Sequence, residues 1–290
     1  MKPQRDAGSA GAATGGATGP RTGGTWDSGL SSGEFAAVKG AGFDPVGQVL
    51  GTAVFTIGYS GAWGCPGAWS AAERRKKPAS PWDPSYDLLV KTLYTARRLA
   101  LTRAVAECRA AGGDGIVGVR LQVGEFPAGG VEFTALGTAV RARSRIRPGR
   151  PFTSHLSGQD FAKLIHTGWV PTGLALGIAV ESRHDDWRSP RRIRWAAPNQ
   201  EVDGYTQLIN HARHNARNRL AVDAAEHGGD GVVVDEMELT VREGECPASV
   251  GMRDVIAEAV FVGTSITRFA RSGRPAGPRP LTIMRLEREN

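Results

Sequence analysis

This chain is written twice, and that duplication limits its possible folds more than any other feature. Trp26-Asp-Ser-Gly-Leu-Ser-Ser-Gly-Glu-Phe35 lies over Phe152-Thr-Ser-His-Leu-Ser-Gly-Gln-Asp-Phe161, an offset of 126 residues. At the same offset Gly42, Pro45, Gly47 and Leu50 meet Gly168, Pro171, Gly173 and Leu176. Across a long helical pattern and a Gly-Gly-Asp-Gly tetrapeptide, at Gly112–Gly115 and Gly228–Gly231, the offset drops to 116. It returns to 126 where Glu132 and Leu136-Gly-Thr-Ala-Val140 meet Glu258 and Val262-Gly-Thr-Ser-Ile266. Length changes confined to two connections are what a duplicated fold tolerates, because loops accept insertions. The reading is two domains, 26–142 and 152–270, with an Arg/Pro-rich linker at 143–151, a disordered Gly/Ala/Thr-rich tail at 1–25 and a C-terminal tail at 271–290.

Each copy spells the same elements. Ser31-x-x-Glu34 and Ser157-x-x-Asp160 have capping-box spacing, so each opens a short helix that Gly42 and Gly168 end. A small, apolar first strand follows, about 48–59 and 174–182, then a polar connection containing Trp, then a long helix, about 84–111 and 204–227. Leu89, Leu93, Ala96 and Ala100, like Leu208, Ala212, Ala216 and Leu220, recur every three or four residues and form an apolar stripe that faces a sheet. A second strand alternates through Val119 and Leu121, and through Met237 and Leu239; a third runs about 131–141 and 255–267. One helix covers one face of a three-stranded sheet, so the other face must meet the sister domain, another subunit or water. The Gly-Gly-Asp-Gly segments each follow a helix, whose C-terminal partial charge repels phosphate, so they read as helix-to-strand joints rather than phosphate loops.

Three cysteines, Cys65, Cys108 and Cys246, stand at unrelated positions and give neither a disulfide framework nor a zinc spacing. The first 25 residues lack a signal peptide's apolar segment and no run is long enough to cross a bilayer, so a cytoplasmic protein without membrane contact is expected. The net charge of +7 comes with a skew to arginine, which weakens any inference from charge alone; position matters more.

Three kinds of site residue stand out. His211 and His214, three apart on the second long helix, are the candidate ligands for a soft metal ion, although Arg213 and Arg217 beside them oppose a cation. Trp187, Arg191, Arg192, Arg194 and Trp195 interleave aromatic and cationic groups, as a single-stranded nucleic-acid site or a subunit interface would; Arg141, Arg143, Arg145 and Arg147 would add a basic edge. Arg103 with Glu107 recurs as Arg219 with Asp223, which reads as a helix-surface or interface ion pair. No nucleophile, base and orienting acid can be assigned, so no catalytic residue is named and an enzyme is not expected.

Ala-Gly-Gly-Asp-Gly-Ile-Val-Gly-Val-Arg at 111–120, followed by Glu-Phe-Thr-Ala-Leu-Gly-Thr-Ala-Val-Arg at 132–141, resembles the YbjQ family, also called the heavy-metal-binding domain. The second copy is similar but carries Val234-Asp-Glu236 in place of Gly-Val-Arg. The resemblance implies an α+β fold of two tandem dodecin-like β-α-β-β units, each an antiparallel three-stranded sheet with one long and one short helix. It also implies assembly into rings, often pentameric, and its name implies a heavy-metal ion. The expected function is a non-enzymatic, homo-oligomeric binding or scaffold protein, with heavy-metal binding as the alternative and single-stranded nucleic-acid binding as the third reading.

Overall fold

A computed structural model describes residues 27–56, 86–145, 147–185, 201–245, 253–269 and 284–285. Both repeats fold alike. The first contains α1 (Ser32–Gly40), β1 (Phe43–Thr56), α2 (Asp87–Ala110), β2 (Gly115–Phe126) and β3 (Gly130–Ala142). The second contains β4 (Phe152–Thr153), α3 (Gly158–His166), β5 (Trp169–Asp185), α4 (Asp203–Glu226), β6 (Gly231–Glu245) and β7 (Arg253–Arg268), and β8 (Met284–Arg285) follows. Among the described residues no helix is long and apolar enough to cross a membrane.

Local chemistry sets the short helices. The Ser31 hydroxyl accepts from the Glu34 N–H while the Glu34 carboxylate accepts from the Ser31 N–H at 2.8 Å, a reciprocal box that also holds Glu34 below its usual carboxylate range. At α3 the Ser157 hydroxyl accepts from Asp160 N–H at 3.2 Å and donates to the shorter Asp160 carboxylate. Gly42 and Gly168, at φ 89° and 83°, turn the chain straight into strands, so the first strands begin at Phe43 and Trp169, earlier than their apolar cores suggest.

Three long strands of each repeat form an antiparallel sheet in the order β1-β3-β2 or β5-β7-β6. Each sheet gains a two-residue fourth strand beyond the three expected. β4 pairs parallel with Gly115–Ile116 of β2, so the second repeat's leading arm extends the first repeat's sheet, and β8 pairs antiparallel with Gly231–Val232. The helix stripes face the sheets as their spacing requires: Ala96, Ala100 and Cys108 on α2, and Leu208, Ala216 and Leu220 on α4, are fully buried. Contact is closest at Gly51 and Gly177, where a Cβ would run into the backbone of the long helix.

The two repeats stack in one direction. Along β5, Ala175 and Ala179 face α4, while Leu174, Leu176, Ile178 and Val180 join the apolar cluster built on α2 of the first repeat. The resulting order is first sheet, α2, second sheet, α4. Sheet faces that correspond therefore differ in fate: Leu176 and Val180 are 1% and 6% exposed, whereas their counterparts Leu50 and Val54 are 51% and 46% exposed.

Candidate assembly interface

The junction where α2 meets the second sheet is built from the open edge of β5. At that edge Leu176 and Ile178 each present an N–H and a carbonyl away from β7, and all four are taken. Asp223 on α4 accepts from Leu176 N–H at 2.8 Å and Arg219 donates to Ile178 O at 2.7 Å. Tyr94 of the first repeat completes the set: its hydroxyl accepts from Ile178 N–H at 2.9 Å and donates to Leu176 O at 3.2 Å. Burial pushes the Tyr94 phenol above its ordinary value.

Two arginines of α2 complete the contact. Arg98 pairs with Asp223. Arg97, 7% exposed, lies over the Phe133 ring at 5.3 Å and feels Glu258, Glu238 and Glu236 on the second sheet's outer face; burial holds its guanidinium below the usual value against that attraction. Glu258 itself is raised by burial, opposed by Arg242 at 3.6 Å and by Arg97. Beside the junction an open groove of about 590 Å³ runs between Lys91 and Arg98 on α2 and Asn218 and Glu226 on α4.

The recurring Arg/acid pairs thus act on strand backbone. In the first repeat Glu107 accepts from Leu50 N–H at 2.7 Å and Arg103 donates to Thr52 O, repeating the Asp223 and Arg219 pattern. Sequence spacing located these groups but suggested an ion pair with each other. Tyr94 and Arg97 escaped notice; the signal was a second stripe on α2, Tyr94, Arg97 and Leu101, outside the one facing the first sheet.

Other flagged residues take structural places. Gly112 and Gly228, at φ 73° and 71°, end the long helices, and the aspartates that follow accept backbone N–H groups at the ends of the third strands: Asp114 from Ala142 at 2.9 Å and Asp230 from Arg268 at 3.2 Å. The joint reading of Gly-Gly-Asp-Gly accounts for both residue types. Arg141 donates to the carbonyls of Gly112 and Ala111, Arg143 pairs with Asp44 at 2.6 Å, and Arg147 approaches Asp114 at 3.6 Å, so these three serve the fold rather than a bare basic edge. Thr138 and Thr264 hydroxyls accept from Gly29 and His155 N–H groups, each at 3.2 Å, and so fasten the arm that leads into each repeat.

The metal candidates separate. His211 Nε2 lies 3.9 Å from Glu181, which also takes Asn215 at 2.7 Å, while His214 meets Asn218 at 3.0 Å. Among the described residues no three His, Cys, Asp or Glu side chains gather as ligands, and the Cys108 thiol is buried and pushed up to about 11. These donors do not suit a soft ion, which favours converging thiolates and imidazoles. Cys65, Cys246, Trp187, Arg191, Arg192, Arg194 and Trp195 lie outside the described residues.

Residues 86–143 match a family model described as "Putative heavy-metal-binding", YbjQ_1. Over 221 residues the chain is 34% identical to the encapsulin nanocompartment protein Rv1762c of Mycobacterium tuberculosis, an alignment covering 72% of this chain and 76% of that protein.

Proposed function

Since the chain belongs to the YbjQ-like family, we propose that it acts by assembling: a non-enzymatic scaffold or cargo-type component that forms a homo-oligomer and associates with an encapsulin-type shell. One observation carries this reading. Among the described residues, the stacking order leaves an open sheet face at one end and an open helix face at the other, with Leu50 and Val54 half exposed on the former. Unlike ends favour head-to-tail contact, which closes into a ring when the rotation allows. The relative's name ties that protein to a nanocompartment; a shared scaffold extends the association to this chain. The test is to weigh the full-length protein by light scattering, alone and co-expressed with an encapsulin shell protein. A defined mass of several chains and co-elution with the shell support the reading; a single-chain mass at every concentration refutes assembly, and assembly without co-elution refutes the shell.

A further inference from the structure

We propose that the open face and edge of the first sheet seat α4 of a second copy of this chain, in the pose that α2 takes on the second sheet within one chain. The proposal rests on the assembly reading above and names the surfaces that make it. The internal junction supplies the template, and each of its polar contacts has a counterpart waiting at the two ends. At β5 the Leu176 carbonyl and Ile178 N–H are filled by Tyr94; at β1 no described group takes the corresponding Leu50 carbonyl and Thr52 N–H. The residue of α4 at Tyr94's place is Asn210, exposed, whose amide offers the same donor and acceptor. Arg98 pairs with Asp223; His214 stands at Arg98's place and Glu107 at that of Asp223. Arg97 faces Glu258; their counterparts are Arg213, exposed, and Glu132, neither of which has an ion pair with the described residues.

Both surfaces have also shifted in character together. The helix exchanges Tyr94 and Leu101 for Asn210 and Arg217, while the sheet exchanges Leu174, Ile178 and Val260 for Gln48, Thr52 and Thr134. A polar helix stripe matches a more polar sheet face that keeps Leu50 and Val54 at its centre. Arg120 and Gln122 stand where the second sheet has Glu236 and Glu238, so on the sheet face a cationic helix finds one acid, Glu132, where the internal junction has three. Contact between copies therefore buries less apolar surface than the internal junction, depends more on charge and weakens with salt.

The test uses the full-length chain, with mass followed against concentration at low and high salt. Arg213→Glu and Glu132→Arg should each raise the concentration for half-assembly by about tenfold, and the double charge swap should recover most of that loss. Circular dichroism of each variant checks that it is folded. Unchanged assembly in Arg213→Glu, or a double variant no better than the singles, overturns the proposed interface while leaving assembly itself intact. A wild-type chain that stays single at every concentration overturns both.

Discussion

Gly51 and Gly177 occupy the same place in the two repeats, yet replacing each with alanine should cost different amounts. A Cβ on Gly51 would stand 2.5 Å from Ala104 N and nearer still to the Ala100 carbonyl; on Gly177 it would stand 2.9 Å from Leu220 N and nearer still to the Ala216 carbonyl. Real Cβ contacts keep at least 3.0 Å, so at Gly51 the helix must withdraw by 0.5 Å or more. A gap of that size forfeits about a quarter of each dispersion contact along the seam, and overfilling a close-packed interior typically costs about 1–3 kcal/mol.

What separates the two sites is where the helix can go. α4 has water behind it in the single chain and can drift outward. Behind α2 lies the second sheet, with Tyr94 bonded to β5 and Arg97 buried, so withdrawal from one sheet compresses the other. Gly51→Ala should therefore fall at or above about 3 kcal/mol and Gly177→Ala nearer 1–2 kcal/mol. Urea denaturation followed by circular dichroism, below the concentration at which copies associate, measures both; the midpoint should move with the slope unchanged. Equal costs, or a larger cost at Gly177, would refute the stacking order.

The same asymmetry applies to the outer sheet faces: Leu176→Ala should lose about 2–5 kcal/mol and Leu50→Ala under about 1 kcal/mol in the single chain, read from the same denaturation curves. Burial holds the His155 imidazole below its ordinary value, with Nδ1 2.8 Å from the Thr264 hydroxyl and Nε2 without a hydrogen-bond partner among the described residues, while Asp235 and the Gly263 backbone pull the other way. The folded state thus resists the proton that the unfolded chain accepts: this contribution is complete above the ordinary histidine value of about 6.5 and is lost as pH falls below it, by at most about 1.4 kcal/mol per pH unit. Thermal midpoints of wild type and His155→Gln should diverge at pH 7.5 and converge towards pH 5.5; parallel curves would count against it. Cys108, buried with its thiol pushed up to about 11, should resist alkylation at pH 8 in the folded protein and react once urea unfolds it, as peptide mapping would reveal.

Much of this fold could be read in the sequence because its signals are local. Capping serines, terminal glycines and the 3.6-residue stripes act within a few residues of themselves, so pattern alone located both long helices and the Gly-Gly-Asp-Gly joints. The junction was less visible because its groups act across repeats. Arg103 and Glu107 looked like a pair along one helix, since no sequence pattern marks the free edge of a strand a packing layer away. Arg97 escaped notice because its burial becomes intelligible only when the second sheet brings Glu258, Glu238 and Glu236 opposite it. The linker arginines failed in the opposite sense: a period of two suggested an exposed basic edge, but Arg141 and Arg143 find partners in the helix end and strand beside them.

Duplication supplies a way to separate the two kinds of role. Some positions that stayed alike act inside a repeat: Gly51 and Gly177 lie under the helix, Asp114 and Asp230 sit at the joint, and Thr138 and Thr264 fasten the leading arm. Others, Leu50 with Leu176 and Glu132 with Glu258, keep the outer sheet faces similar. Positions that diverged lie where one repeat faces the next, as Tyr94 against Asn210, Arg98 against His214, and Leu174 against Gln48. Once two repeats are fused, the internal junction is held at high effective concentration by the chain and can become apolar without exposing a sticky surface. In the proposed assembly the two outer ends remain in water until copies meet, and an apolar face there would aggregate. Under the proposed assembly, divergence of the outer stripe towards Asn, Arg and His is what a chain needs when one of its two equivalent junctions is permanent and the other forms between separate molecules.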